Sequence, residues 1–275
     1  MSDSLRIHAL QYSPHYLQPT LNLDRIERWP SLLDADLVVL PELAATGYFF
    51  RSPEDARSVA EEVPDGATVR RMEAWARESG ATIVAGLVER AGETLYNSAV
   101  VVTPRGWLGT YRKVHLYYQE KLHFAPGDLG FPVWTVTDRA GRAYRLGVMV
   151  CFDWYFPEAA RSLALAGADV IAHPSNLVRS DCPRSMPIRA LENHVFTVTA
   201  NRIGNEESAG ERLSFIGRSL ICDPRGEVLA SAGAEDETII AADISPREAR
   251  DRRLNAHNDL FADRRPETYG GVAGL

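Results

Sequence analysis

The chain has 275 residues, 45% hydrophobic and 24% charged, with a net charge of -7. That is enough apolar material for one large core, and the acidic balance excludes a general nucleic-acid or anionic-membrane surface. No apolar stretch approaches the roughly 20 residues that span a bilayer.

Residues 7–11 open the chain as a strand, and 21–33 read as an amphipathic helix. Residues 36–40 form a continuous apolar run, the mark of a strand buried on both faces. That run ends in Pro41-Glu42-Leu43-Ala44-Ala45-Thr46-Gly47-Tyr48. A helix over 67–78 and a strand over 82–87 follow, then hairpins around Gly92 and Pro104-Arg105-Gly106. Tyr111-Arg112-Lys113-Val114-His115-Leu116 comes next. A second buried run, Leu146-Gly147-Val148-Met149-Val150, leads into Cys151 and a helix over 157–166 that stops at Gly167. The strand 169–173 leads to Pro174-Ser175-Asn176, then come a helix over 187–193 and a strand over 195–200. A hairpin around Pro224-Arg225-Gly226 and a strand over 238–242 close the core. The tail 245–275 is rich in Arg and Asp with little apolar periodicity. No linker or composition break appears, so residues 1–275 read as a single domain.

Three residues in this series carry chemistry. Cys151 sits where a strand feeds a helix, and oriented backbone N–H groups at such a junction favour a thiolate. Glu42 is a strand-end carboxylate beside apolar residues, where desolvation raises a pKa toward that of a general base. Lys113 is a candidate cation for a developing oxyanion. Each also has a plainer reading: a small core thiol, a capping carboxylate, a solvated lysine. His115 and His173 invite a Cys–His reading but are expected to be hydrogen-bonded core or rim residues. Cys182, in a polar loop, and Cys222, ending an apolar run, read as structural. Three cysteines without metal-ligand spacing, and an N-terminus without a signal-peptide pattern, give the expectation of a reduced, cytoplasmic protein with no metal.

Glu, Lys and Cys in that order, each at a strand end, resemble the nitrilase superfamily of carbon–nitrogen hydrolases. The resemblance rests on Pro41-Glu42-Leu43 with Thr46-Gly47-Tyr48, on Arg112-Lys113-Val114-His115-Leu116, and on Gly147-Val148-Met149-Val150-Cys151-Phe152-Asp153 with Phe156-Pro157-Glu158. Tyr96-Asn97-Ser98-Ala99, Phe124-Ala125-Pro126-Gly127-Asp128 and Arg189-Ala190-Leu191-Glu192-Asn193 extend it over most of the chain. It implies an α/β fold, a four-layer αββα sandwich, with no cofactor and a small-molecule amide or nitrile substrate. It implies that Cys151 attacks the carbon, that Glu42 takes and returns the proton, and that Lys113 with the Phe152 backbone N–H holds the oxyanion. It further implies that Glu120 orients Lys113 or the substrate nitrogen, and that the tail 245–275 reaches across a homodimer.

Substrate is less legible. Tyr48, Trp154, Tyr155 and Asn176 are the expected substrate-binding residues. The residues after Cys151 include no Arg to meet a carboxylate, which disfavours N-carbamoyl amino acids unless Arg179 or Arg202 substitutes. Aromatic neighbours favour neutral or apolar substrates. The short loop between Lys113 and Glu120 suggests an open, small-substrate entrance. The Cys151 segment and Ile171-Ala172-His173-Pro174-Ser175-Asn176-Leu177 look closest to a thermophile-type nitrilase-like group. The reading is an amidase, with a nitrilase second, a carbamoyl-amine hydrolase third, and a catalytically silent scaffold as the non-enzyme alternative.

Overall fold

A computed structural model describes residues 4–29, 31–208 and 210–273, without the side chains of 272 and 273. Its first half runs β1 (Leu5–Gln11), α1 (Pro19–Glu27), β2 (Leu37–Val39), α2 (Pro53–Ser58), α3 (Ala67–Ser79), β3 (Thr82–Ala91), β4 (Thr94–Thr103) and β5 (Gly106–Arg112). The second half runs β6 (Val133–Thr137), β7 (Ala143–Val148), α4 (Pro157–Leu165), β8 (Val170–Pro174), α5 (Cys182–Asn193), β9 (Phe196–Ala200), β10 (Asn205–Ser208), β11 (Glu211–Ser214), β12 (Leu220–Cys222), β13 (Val228–Ser231) and β14 (Thr238–Ile244).

Two six-stranded sheets result, ordered β14-β1-β2-β3-β4-β5 and β13-β12-β9-β8-β7-β6. Each has three parallel strands at its centre and antiparallel strands outside them. The sheets face each other, β1 against β9 and β2 against β8. Alternation explains the unbroken apolar runs. Leu37 and Val39 point into the space between the sheets with Val84, Val101, Leu146 and Val148, whereas Val38 and Leu40 pack with Leu23 and Ile26 of α1 and Val69 and Met72 of α3. A strand covered on both faces needs apolar residues at every position. Helices α4 and α5 cover the second sheet, completing the four layers that the sequence led us to expect.

The largest boundary differences are α1, which ends at Glu27 rather than residue 33, and α5, which begins at Cys182 rather than residue 187. Pro183 is tolerated in its first turn, where no N–H partner is required, so neither proline marks its start. Cys182 is accordingly buried in a helix, not placed in a loop. The tail contains a short turn, Pro246–Arg250, whose Arg250 pairs with Asp169 at 2.7 Å. Beyond it the described chain is mostly exposed.

Candidate active site

Glu42 emerges beyond the carboxyl end of β2, in the middle of the first sheet. Gly86 of β3 permits this: a Cβ there would stand 2.4 Å from the Leu43 nitrogen and 2.6 Å from the Glu42 Cα. The Gly86 N–H instead donates to Pro41 O at 3.2 Å, and its carbonyl accepts from Ala44 at 3.0 Å. Lys113 follows β5 directly, its N–H donating to Asn97 O at 2.8 Å and its carbonyl accepting from Gly127 at 2.9 Å. Arg112 faces the other way, paired with Glu89 and stacked 3.9 Å from the Tyr96 ring. Strand alternation thus turns one cation outward and the next one inward.

Cys151 ends the β7 segment at φ +43, a left-handed conformation that costs a non-glycine residue about 1–3 kcal/mol. His173 supports it, with Nε2 2.9 Å from the Cys151 carbonyl and Nδ1 3.0 Å from the Thr199 hydroxyl. Burial lowers the His173 pKa to about 4, so the ring is neutral near pH 7. Nε2–H donates and Nδ1 accepts. His173 therefore holds backbone, while His115 faces Asp153 at 2.8 Å. Both histidines are hydrogen-bonded in the way the sequence led us to expect.

The three strand ends converge. The Lys113 Nζ donates at 2.7 Å to Glu42 Oε1 and at 2.7 Å to Glu120 Oε1. Asn97 Nδ2 also donates to Glu42 Oε1, at 2.7 Å, and the Tyr48 hydroxyl donates to Glu120 Oε1 at 2.5 Å. Asn176 Nδ2 donates to the Glu42 carbonyl at 2.9 Å, and its backbone N–H reaches the Cys151 thiol. Among the described residues Glu42 Oε2 has no partner. One carboxylate oxygen is thus fixed by two donors and the other is left open.

Two buried carboxylates around one ammonium leave an excess negative charge, which orders the titrations. Burial alone would lower Lys113, but Glu120 and Glu42 outweigh it and keep the ammonium charged. Burial, against the opposing pull of Lys113 and with Glu42 adding to it, raises Glu120 to about 7. Cys151 is pushed well above the ordinary thiol range, by burial first and Glu42 second. This corrects the expectation of a favoured thiolate. The α-helix α4 starts only at Pro157, behind a short 3-10 turn over Cys151–Tyr155, so its N-terminus lies six residues from the sulfur and burial prevails.

Of the four residues expected to bind substrate, Tyr48 bonds to Glu120 and Asn176 to the Glu42 carbonyl. Phe152 and Tyr117 lie edge-on with ring centroids 5.1 Å apart, and Phe152 and Tyr155 are 5.6 Å apart, forming an aromatic rim. Tyr155 is half exposed. Trp154 is instead buried, on a turn that packs against α4 and α5, since a large apolar ring gains more from packing there. Cys151 itself is 5% exposed. Arg179 is ion-paired with Asp181, and the buried Arg202 with Glu206.

Sequence reasoning did not single out Asn97 or Glu206. Asn97 carried a signal, a polar residue in a strand buried on both faces. Glu206 carried none: it accepts from the Tyr48 and Phe49 backbone at 3.0 and 2.6 Å across 158 and 157 residues of chain.

Comparisons with known proteins place the chain in a family. The chain is 49% identical over 268 residues to a nitrilase of Pyrococcus abyssi, covering 96% of this chain and 99% of that one. It is 33% identical over 266 residues to an N-carbamoylputrescine amidase of Solanum lycopersicum, covering 90% and 86%. Its fold matches the crystal structure of an amidase from Nesterenkonia sp. with a TM-score of 0.78 at 27% identity, covering 99% and 98%. The family model for carbon-nitrogen hydrolases matches residues 8–253. With the family's pattern running through β1 to the tail and both sheets in place, this chain belongs to the carbon-nitrogen hydrolases of the nitrilase superfamily.

Proposed function

We propose that the protein is an amidase that converts a small neutral or apolar amide to a carboxylic acid and ammonia through a thioester on Cys151. The observation that carries this reading is the Lys113 ammonium held between Glu42 and Glu120, with Glu42 Oε2 unpartnered among the described residues and the Glu42 charge felt at the Cys151 thiol. Cys151 Sγ attacks the amide carbon as its proton passes to Glu42 Oε2. The oxyanion is met by Lys113 Nζ and the Phe152 N–H. Glu42 returns the proton to nitrogen, the C–N bond breaks and ammonia leaves. Water then loses a proton to Glu42 and attacks the thioester carbon; the acid departs as the C–S bond breaks and the sulfur regains its proton.

The excess negative charge of the site repels anionic substrates, and both nearby arginines are ion-paired. Neutral substrates follow. The 49% identity to a nitrilase favours a second reading, in which a small nitrile is attacked by the same thiol. The test is a panel of small aliphatic amides, dinitriles and N-carbamoyl amines, with ammonia release and intact mass recorded. Wild type should release ammonia and show an acyl adduct that Cys151→Ala lacks. No ammonia from any compound, with no adduct, would identify a silent scaffold.

Glu120 gives the pH dependence. Its folded pKa, about 7, lies above the ordinary carboxylate value. Its protonation therefore favours the folded state, a contribution complete below the unfolded pKa and lost as pH rises through about 7. Turnover runs the other way, because ionised Glu120 is the form that fixes Lys113. We expect kcat/KM to rise with pH through about 7 and that limb to vanish in Glu120→Gln. The same limb in the variant would assign it to another group.

A further inference from the structure

We infer that Asp153 is a positioning residue that sets the separation of the nucleophile from the oxyanion cation. Its carboxylate is fully buried and lies two residues beyond Cys151. Oδ2 accepts from the Val150 N–H at 2.8 Å and from the Tyr111 hydroxyl at 2.6 Å. Oδ1 accepts from the His115 N–H at 3.1 Å and from His115 Nδ1 at 2.8 Å. Val150 is the residue before the thiol. Tyr111 and His115 stand two before and two after Lys113.

One carboxylate therefore grips the strand end that carries Cys151 and both sides of the segment that carries Lys113. The two segments belong to different sheets, β7 to one and β5 to the other. Other ties run elsewhere: His173 holds the Cys151 carbonyl to the second sheet, and Asn97 and Gly127 hold Lys113 within the first. Tyr111 is itself kept protonated, by burial first and by the charge of Asp153 second, so its hydroxyl remains a donor. That hydroxyl also accepts from the Val114 N–H at 3.3 Å, extending the grip to the residue after Lys113. His115 is clamped from its other face by Phe156, stacked at 3.7 Å.

The side chain fits this role because all four groups facing it are donors. A carboxylate accepts at both oxygens. Asparagine would turn an NH2 group either toward the Val150 N–H and the Tyr111 hydroxyl or toward the two His115 groups, and so weakens the tie between the two segments. A displacement near 1 Å at a reacting group costs about 100-fold in rate.

This inference rests on the hydrolase reading, and its test separates the two. Wild-type turnover on the substrate panel scores that reading alone. The inference is scored on variant-to-wild-type ratios and on the rate at which iodoacetamide alkylates Cys151, which needs no turnover. Asp153→Asn is expected to lower kcat by about 100-fold, to leave KM nearly unchanged and to slow alkylation. Asp153→Glu keeps the charge but moves it by a methylene, and should fail to rescue. Should Asp153→Asn not fold, Tyr111→Phe removes a single bond of the four and should lower kcat by about tenfold with the fold intact. Wild-type kcat in a folded Asp153→Asn or Tyr111→Phe, or full rescue by Asp153→Glu, would overturn the assignment.

Discussion

Glu42→Gln is expected to lower kcat by about 10²–10⁴-fold while making the Cys151 thiol easier to ionise. The two effects pull apart because Glu42 has two functions in the resting site. Its Oε1 is fixed by Lys113 and Asn97, and a glutamine carbonyl can accept both bonds in the same place. Its Oε2 is the unpartnered atom, which in the proposed mechanism takes the thiol proton, and an amide NH2 cannot do so. The fold should therefore survive. Removing the charge also removes the second-largest cause that raises Cys151, so the midpoint of alkylation by iodoacetamide should move to lower pH. Parallel pH profiles of alkylation and ammonia release measure both. Turnover equal to wild type would remove Glu42 from the mechanism. Lost turnover with the thiol midpoint unmoved would mean that the carboxylate does not act on Cys151.

The parts of this site that the sequence disclosed are those built from strand ends. Residues 37–40 and 146–150 read as strands buried on both faces, and the chemical residues at their ends stood out against that apolar background. Proximity was another matter. That Glu120 would turn inward, rather than pair with Lys121 at the surface, depended on Tyr48 arriving from 72 residues away. The thiol pKa was misjudged because a helix N-terminus is visible in sequence and the local sum of buried charge is not. Asp153 shows the same limit. Its four donors come from two sheets, and nothing in Phe152-Asp153-Trp154 distinguishes a buried clamp from a capping carboxylate. Boundaries failed for simpler reasons. Pro187 lies inside α5, and the short strands β10 to β13 offer too few residues for an alternating pattern to emerge.

Lys113→Met should cost both turnover and stability, with opposite remedies. Loss of one donor to the oxyanion is expected to lower kcat by about 10²–10³-fold. The same change leaves Glu42 and Glu120 facing each other, buried, with no counter-charge. Breaking a buried pair in this way destabilises by about 3–5 kcal/mol. The sign of the pH dependence follows from that vacated charge. Without Lys113 the burial that raises Glu120 is no longer opposed by a cation, so its folded pKa stands further above its unfolded one and its protonated form favours the folded state. That stability is present below the unfolded pKa and is lost as pH rises through the folded one. The deficit relative to wild type should accordingly grow between acidic and alkaline buffers in denaturant unfolding. Adding Glu120→Gln to Lys113→Met removes one of the two opposed charges. It should recover part of the stability and none of the turnover, since the oxyanion still lacks its cation. A folded Lys113→Met that retains kcat within about tenfold of wild type would place the oxyanion elsewhere. A deficit that shrinks as pH rises would contradict the charge arrangement from which every titration in this site has been derived.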